Sequence, residues 1–437
     1  MRILWVKAGK LLPVDTGGKI RSYNLLKQLS VGNETTLLSY YGGPPDKNYE
    51  EEIRRELPRA ITVNTGAPES TLGQSINYLQ HLPSAAPYAV TKFTSRAVRQ
   101  MVDQWDREGR FDVMVSDFLS ASLNFPRSLR TPSVLFQHNV ESALWQRQAQ
   151  HEPNVLKRSA FKIESAKMSR YERATVIRFN HIIAVSEHDR TLMSKMANAA
   201  HISVVPTGVN LKEYATVYNE GADEPADEPK LPLVLFLGSM DWEANIDGVD
   251  YFCREIWPNV KTAVTGAKFR VVGRNPHTRV KRWASDSVEI TGRVPSVLEH
   301  LREAAVFVVP LRIGGGTRLK IYEAMAAGKA VVSTTIGAEG LDVHHGQDIL
   351  LADTAPGFAE AVINLLLDAD MRGRFEKAAA QLAAQYDWAI IAKRFEETLA
   401  RVVNGGGSHH SLQPNEAKNT IHEIARKGTN NISCWFV

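Results

Sequence analysis

Cysteine is almost missing from this chain. Cys253 and Cys434 are the only two in 437 residues, too few for a disulfide framework or a thiolate metal cluster, and a reducing cytoplasm is the simplest setting. No run of 18 or more apolar residues occurs, which excludes a membrane-crossing helix. The opening Met1-Arg2-Ile3-Leu4-Trp5-Val6-Lys7 reads as a short strand, too brief for a secretion signal. Neither half carries a GxGxxG turn followed by an acid about twenty residues on, which argues against a dinucleotide oxidoreductase, and no Walker-type phosphate loop is present. No Asp-x-Asp pair stands in a metal-binding context, so neither a metal nor another cofactor is expected.

What is present is an ordinary globular composition, 43% hydrophobic and 23% charged, in a chain long enough for two or three domains. The net charge of +4 hides an asymmetry: residues 1–205 hold 27 Lys/Arg against 19 Asp/Glu, and the remainder 25 against 29. The first half should therefore attract anionic partners. Much of the surplus lies on a helical pattern at Lys157, Arg158, Lys162, Lys167, Arg170, Arg173 and Arg178. Peripheral contact with an anionic membrane is one reading and a solvated helix face is the other; no nucleic-acid partner is expected.

Strand-like runs alternate with helical stretches, the pattern of a parallel α/β architecture. The first series comprises 3–6, 35–40, 61–63, 112–116, 134–138, 182–186 and 202–205; the second comprises 233–238, 269–273, 288–292, 306–311, 330–333 and 349–351. The spacing predicts a first doubly wound domain over 1–210, a linker over 211–232 and a second over 233–385. A C-terminal helix over 386–403 returns to the first domain, and a flexible tail follows over 404–437. The acidic, proline-bearing residues 216–232 carry the linker signature. His409 and His410 in the tail suit a metal, but a disordered polar tail explains them more simply.

The most informative stretch is Gly314-Gly315-Gly316-Thr317-Arg318-Leu319-Lys320-Ile321-Tyr322-Glu323. Three glycines after an apolar strand let backbone N–H groups crowd a ligand, Thr317 suits an N-cap, and a helix start favours phosphate. Arg318 and Lys320 add positive charge where a helix dipole would disfavour it. Glu323, one turn on, can accept hydrogen bonds from vicinal hydroxyls. Phosphate plus diol describes a nucleotide or nucleotide sugar. A second glycine pair, Gly17-Gly18, opens a helix with Lys19 and Arg21 in its first turn, and two helix starts facing across a cleft could clamp one diphosphate.

With both loops placed, the chain resembles the family 4 retaining glycosyltransferases of the GT-B fold over about residues 1–400. The resemblance rests on Thr291-Gly292-Arg293-Val294, Pro310-Leu311-Arg312, the GGGTRLK turn, Glu323-Ala324-Met325-Ala326, Gly337-Ala338-Glu339-Gly340-Leu341 and Val205-Pro206-Thr207-Gly208-Val209-Asn210. The Gly17–Tyr23 stretch is similar to a subgroup linked to bacterial exopolysaccharide synthesis. The resemblance implies two Rossmann-like domains facing across a cleft, and transfer of a hexosyl group from a nucleotide diphosphate sugar, UDP-sugar favoured. The acceptor would be a glycan or lipid-linked hydroxyl, and the setting the cytoplasm or the inner membrane face.

The resemblance also implies residue roles. Glu323 would bind the ribose, and Gly17 and Gly18 would approach the diphosphate and acceptor. His138 would contact the transferred sugar, Arg293 and Val294 would lie against the base, and Arg274 would approach the nucleotide. Gly315, Gly316 and Thr317 would offer backbone to the donor; Lys19 and Glu141 are candidate acceptor contacts. Glu141 and Asp117 also read as local structural acids, and Trp242 as core or interface packing. Two departures stand out. Gly315 occupies the position of the first glutamate of the family's paired-glutamate pattern, and the cations usual after the first strand of the second domain are absent from 238–245. Arg318 and Lys320 are expected to replace that charge. A nucleotide-sugar epimerase of the same fold and a catalytically inactive nucleotide-sugar-binding protein are the alternative readings.

Overall fold

The computed structural model describes residues 1–67, 84–152, 154–222, 232–313 and 319–405. The apolar runs of the first half become seven strands: β1 (Arg2–Ala8), β2 (Glu34–Tyr41), β3 (Ile61–Asn64), β4 (Val113–Asp117), β5 (Ser133–Phe136), β6 (His181–Ala184) and β7 (Ile202–Val204). They form one parallel sheet in the order 3-2-1-4-5-6-7. Ile3, Leu4, Trp5 and Val6 are all fully buried, because helices cover both faces of the sheet. This is why its strands read as unbroken apolar runs rather than alternating ones.

The second half repeats the pattern with β8 (Leu233–Leu237), β9 (Lys268–Val272), β10 (Val288–Gly292), β11 (Val306–Val309), β12 (Ala330–Ser333) and β13 (Leu350–Leu351), in the order 10-9-8-11-12-13. In each sheet the winding reverses beside the first strand, at β1/β4 and at β8/β11. Crevices for ligands open beyond the carboxyl ends of the strands at such points.

Seven helices bear on those crevices: α1 (Gly17–Gly32), α2 (Glu141–His151), α3 (Val155–Arg178), α4 (Glu187–Ser194), α5 (Leu211–Ala222), α6 (Leu319–Ala326) and α7 (Trp388–Gly405). The chain does not become linker at 211: α5 is a helix, and it packs on Leu298–Glu303 and α6 of the second domain. Tyr214 and Val217, one turn apart, supply its buried face. The acidic stretch from 223 to 231, the glycine-rich turn 314–318 and the tail from 406 lie outside the described residues.

The last helix ties the two halves together. Val209 donates to the carbonyl of Tyr386 at 2.8 Å and Trp388 donates back to that of Val209 at 3.2 Å, so the returning chain runs alongside the outgoing one. A Cβ at Gly208 would stand 2.6 Å from the Trp388 indole; only glycine admits the ring there. α7 then packs against α1, with Phe395 5.4 Å from the Trp5 ring and 5.1 Å from Phe136, and Glu396 accepting from Asn33 at 2.7 Å. Phe395→Ala should therefore destabilise the first domain by about 3–5 kcal/mol. In urea unfolding followed by circular dichroism, an unchanged midpoint would mean that α7 is only an appendage.

Candidate active site

On the first sheet the carboxyl ends of β1 and β4 put Lys7 and Asp117 in register as neighbours. Their side chains form an ion pair at 2.9 Å, 4% and 0% exposed. Asp117 also accepts from the Ser22 hydroxyl at 2.7 Å and the Trp5 indole at 3.0 Å, and its other oxygen lies 2.9 Å from His138 Nε2. Burial opposes ionisation of this carboxyl, but the charge of Lys7 and the bonds from His138 and Ser22 outweigh it and hold the group well below its ordinary value.

His138 therefore does not stand where the family resemblance suggests. It is 1% exposed, and Phe118 stacks on it with ring centroids 3.7 Å apart. Its Nδ1 lies 3.1 Å from the Arg21 guanidinium. A guanidinium only donates, so Nδ1 accepts and Nε2–H donates to Asp117. Both ring nitrogens are thus engaged within the protein. Burial, reinforced by Arg21 and Lys7 and opposed by Asp117, lowers its pKa to about 3, so the ring stays neutral. Arg21, expected to present its charge in the first turn of α1, is likewise 4% exposed with Nε unpartnered; burial lowers its pKa to about 10.

What faces outward at this edge is backbone. Thr16 begins α1 without a side-chain cap, leaving first-turn N–H groups directed past the end of the helix. Gly18 is there because a Cβ would meet the Phe118 ring at 2.7 Å; Phe118 itself has φ 67°, an uncommon conformation for a bulky residue. Lys19 turns back to Asp15 at 3.0 Å and to the carbonyl of Pro13 at 3.1 Å. Glu141 opens α2, whose first N–H groups are capped by the buried Glu172 at 2.8 and 2.9 Å. Burial first, and the Glu172 charge second, push the pKa of Glu141 up to about 7.

On the second sheet Lys320 reaches back from α6 to the end of β8. Its ammonium donates to Asn245 at 3.0 Å, lies 4.4 Å from the Phe236 ring centroid and would touch a Cβ at Gly238. Arg274, just past β9, borders the same loop and binds Ser239 at 3.1 Å and Asp241 at 2.8 Å. Arg293 is exposed and Val294 half-buried beyond β10. Glu323 is half-buried on α6 and hydrogen-bonded by the Tyr214 hydroxyl; burial raises its pKa to about 7, against the lowering effects of Tyr214 and Lys320. Gly315, Gly316, Thr317 and Arg318 lie outside the described residues.

The two edges meet. A Cβ on Gly17 would lie 3.6 Å from Leu319 Cδ1, which places the start of α1 against the start of α6. To one side Glu339, beyond β12, bridges Arg147 of α2 at 3.1 Å and His188 of α4 at 3.7 Å. Sequence reasoning overlooked Lys7, Phe118, Tyr214 and Asn245. A lysine and an aspartate ending otherwise apolar strands were the available sign of the first pair. Among the described residues no cluster of three or more His, Cys, Asp and Glu side chains is placed to hold a metal ion.

Two family profiles match: "Glycosyltransferase Family 4" over residues 36–213 and "Glycosyl transferases group 1" over 231–368. The chain belongs to the family 4 glycosyltransferases, with the GT-B fold. Among curated relatives it is 26% identical to phosphatidyl-myo-inositol mannosyltransferase of Mycobacterium leprae, over 51% of this chain and 60% of that protein. It is 28% identical to N,N'-diacetylbacillosaminyl-diphospho-undecaprenol alpha-1,3-N-acetylgalactosaminyltransferase of Campylobacter jejuni, over 45% and 53%. The matched region thus spans little more than half the length of these relatives. Anabaena HepE in complex with UDP shares the fold at TM-score 0.63 and 15% identity, covering 92% of this chain and 100% of that one. Sucrose-phosphate synthase from Thermosynechococcus elongatus does so at 0.66 and 16%, covering 92% and 99%.

The buried cluster is the part of this edge most sensitive to charge. Asp117→Asn, which leaves Lys7 buried without its counter-charge, should cost about 3–5 kcal/mol, and adding Lys7→Met should recover much of it. Because the folded-state pKa of Asp117 is depressed, its contribution is complete above the unfolded value of 3.8 and is lost progressively as pH falls from there through the folded value. The gaps between the urea midpoints of the three proteins should accordingly be smaller at pH 3 than at pH 7. Equal gaps at both pH values would contradict this account.

Proposed function

We propose that this chain transfers a hexosyl group, with retention, from a nucleotide diphosphate sugar to a hydroxyl acceptor in bacterial surface glycan or glycolipid synthesis. The observation that carries the reading is the position of Lys320. From the helix that also carries Glu323, whose start lies beside that of α1, its ammonium reaches the loop after β8, where the usual cations are missing. In this arrangement the anomeric carbon–oxygen bond to the diphosphate breaks while the bond to the acceptor oxygen forms, and the acceptor proton passes to the departing phosphate. Lys320 and the helix starts stabilise the charge that develops. Glu323 accepts from the ribose hydroxyls, which compete with Tyr214 for it. The flanking domains position the partners and exclude water. No protein nucleophile and no metal ion take part.

The named relatives act with lipid-linked or glycolipid substrates, and UDP is bound in the structurally similar HepE; these support a UDP-sugar donor and a glycan or lipid-linked acceptor. Donor choice should appear as thermal stabilisation in a panel of UDP-, GDP- and dTDP-sugars, since a ligand at 100 times its dissociation constant adds roughly 2.7 kcal/mol. With the stabilising donor, Lys320→Ala should lower kcat/KM by ~10²–10³, Glu323→Gln should weaken nucleotide binding, and a chelator should change neither rate. Donor binding with no turnover for any acceptor would favour the inactive binding protein, and sugar isomerisation without acceptor would favour the epimerase.

Peripheral contact with the inner membrane face would run through α3. That helix combines its basic residues with Val155, Ile163 and Ile177, which are 69, 56 and 52% exposed, and no described helix is long and apolar enough to cross a membrane. The protein should co-sediment with vesicles containing phosphatidylglycerol and not with phosphatidylcholine alone; equal behaviour with both would remove this contact.

A further inference from the structure

Beside the start of α1 the first sheet opens into a cavity of about 590 Å³ at the ends of β1, β2 and β3. Four lysines line it, Lys7, Lys10, Lys19 and Lys92, and no carboxylate does. Three of the four are answered from outside the lining. Lys7 pairs with Asp117 at 2.9 Å, Lys10 with Asp46 at 2.8 Å and Lys19 with Asp15 at 3.0 Å. Lys92 has no carboxylate partner among the described residues. It follows the short helix Tyr88–Thr91, and its ammonium lies 4.9 Å from the Phe93 ring centroid. The residue reaches solvent, yet partial burial pushes its pKa down, as expected for a cation held against protein without a counter-charge.

The lining is otherwise suited to a sugar ring. Tyr41, Tyr88, Phe93 and Phe118 contribute aromatic surface, and Thr16, Thr65 and Ser120 contribute hydroxyls. The lining comes from two walls. Gly18 and Lys19 belong to the start of α1, which meets α6, whereas Lys92 and Phe93 follow the short helix Tyr88–Thr91, which packs on Leu119–Asn124. A cation fixed in a concave, partly apolar wall draws anions by focusing its field.

We infer that the acceptor is anionic: it carries a carboxylate or phosphate that binds Lys92, set back from the hydroxyl that receives the sugar at Gly18. The inference rests on the glycosyl-transfer reading for the word acceptor, but the anion site itself can be measured without turnover. Binding of three probes to the full chain distinguishes the cases: a glucuronate-terminated disaccharide, its neutral glucose twin, and glucose 1-phosphate. At low salt the charged disaccharide, the sugar phosphate or both should bind at least about tenfold more tightly than the neutral twin, and the probe that does so identifies carboxylate or phosphate as the group. Lys92→Ala should abolish that margin and Lys92→Arg should preserve it, while Glu323→Ala leaves it intact.

Equal binding of all three probes would overturn the inference. So would a margin that survives Lys92→Ala, or one that disappears in Glu323→Ala and so belongs to the donor side. Failure of every donor and acceptor to react, with the Lys92-dependent margin present, would overturn the transferase reading and leave the anion site standing.

Discussion

A carboxylate buried to 0% exposure is untenable in a protein interior unless charge and hydrogen bonds surround it. Asp117 is surrounded by Lys7 and Trp5 from β1, Ser22 from α1 and His138 from the segment after β5. The partners come from three separate segments of the chain, so satisfying one charge ties β1, α1 and the end of β5 to β4 at the carboxyl edge of the first sheet. The next residue, Phe118, inherits the constraint. Its N–H bonds to the Phe136 carbonyl at 3.0 Å and its own carbonyl accepts from Ser116 at 3.1 Å. The turn holds the ring over His138, and Gly18 is the only residue type that lets α1 begin beneath it.

The two domains use charge differently as a result. The first locks Lys7, Asp117 and His138 into a buried network and presents backbone and aromatic surface at its carboxyl edge. The second keeps its charge within reach of a ligand, with Lys320 on an amide oxygen and Glu323 held half-buried near its protonation midpoint at neutral pH. α7 joins the two domains from behind, and Glu339 spans them at the side through Arg147 and His188. The Glu339 contacts and the seam between Val209 and Trp388 thus hold the two domains together at separate places.

Much of this was legible from residues alone. All thirteen strands of the described residues coincide with strand-like runs in the sequence, and the central ones read as unbroken apolar runs because they are covered on both faces. The glycine starts of α1 and the basic, acid-tipped start of α6 announced themselves through chemistry that a plain connection does not need. The reading of 211–222 as linker failed because the acidic composition further on masked a short amphipathic face, Tyr214 and Val217, whose purpose exists only once Leu298–Glu303 and α6 lie against it. The surroundings of His138 were hidden for a related reason. Its place at a strand end was visible, but not that Phe118 would cover it and that Asp117 and Arg21 would occupy both ring nitrogens.

By itself the sequence determined two parallel α/β units and the glycine-led helix starts at which a nucleotide-sugar chemistry was expected. Those properties follow from local periodicity and from residue types whose backbone and charge preferences act within one turn. Only the tertiary structure decided which cations remain available. Lys7 meets Asp117 across 110 positions and Lys320 meets Asn245 across 75, through strand register and helix packing that no local pattern encodes. A side chain's charge is written in the sequence, whereas its availability depends on neighbours brought from far along the chain.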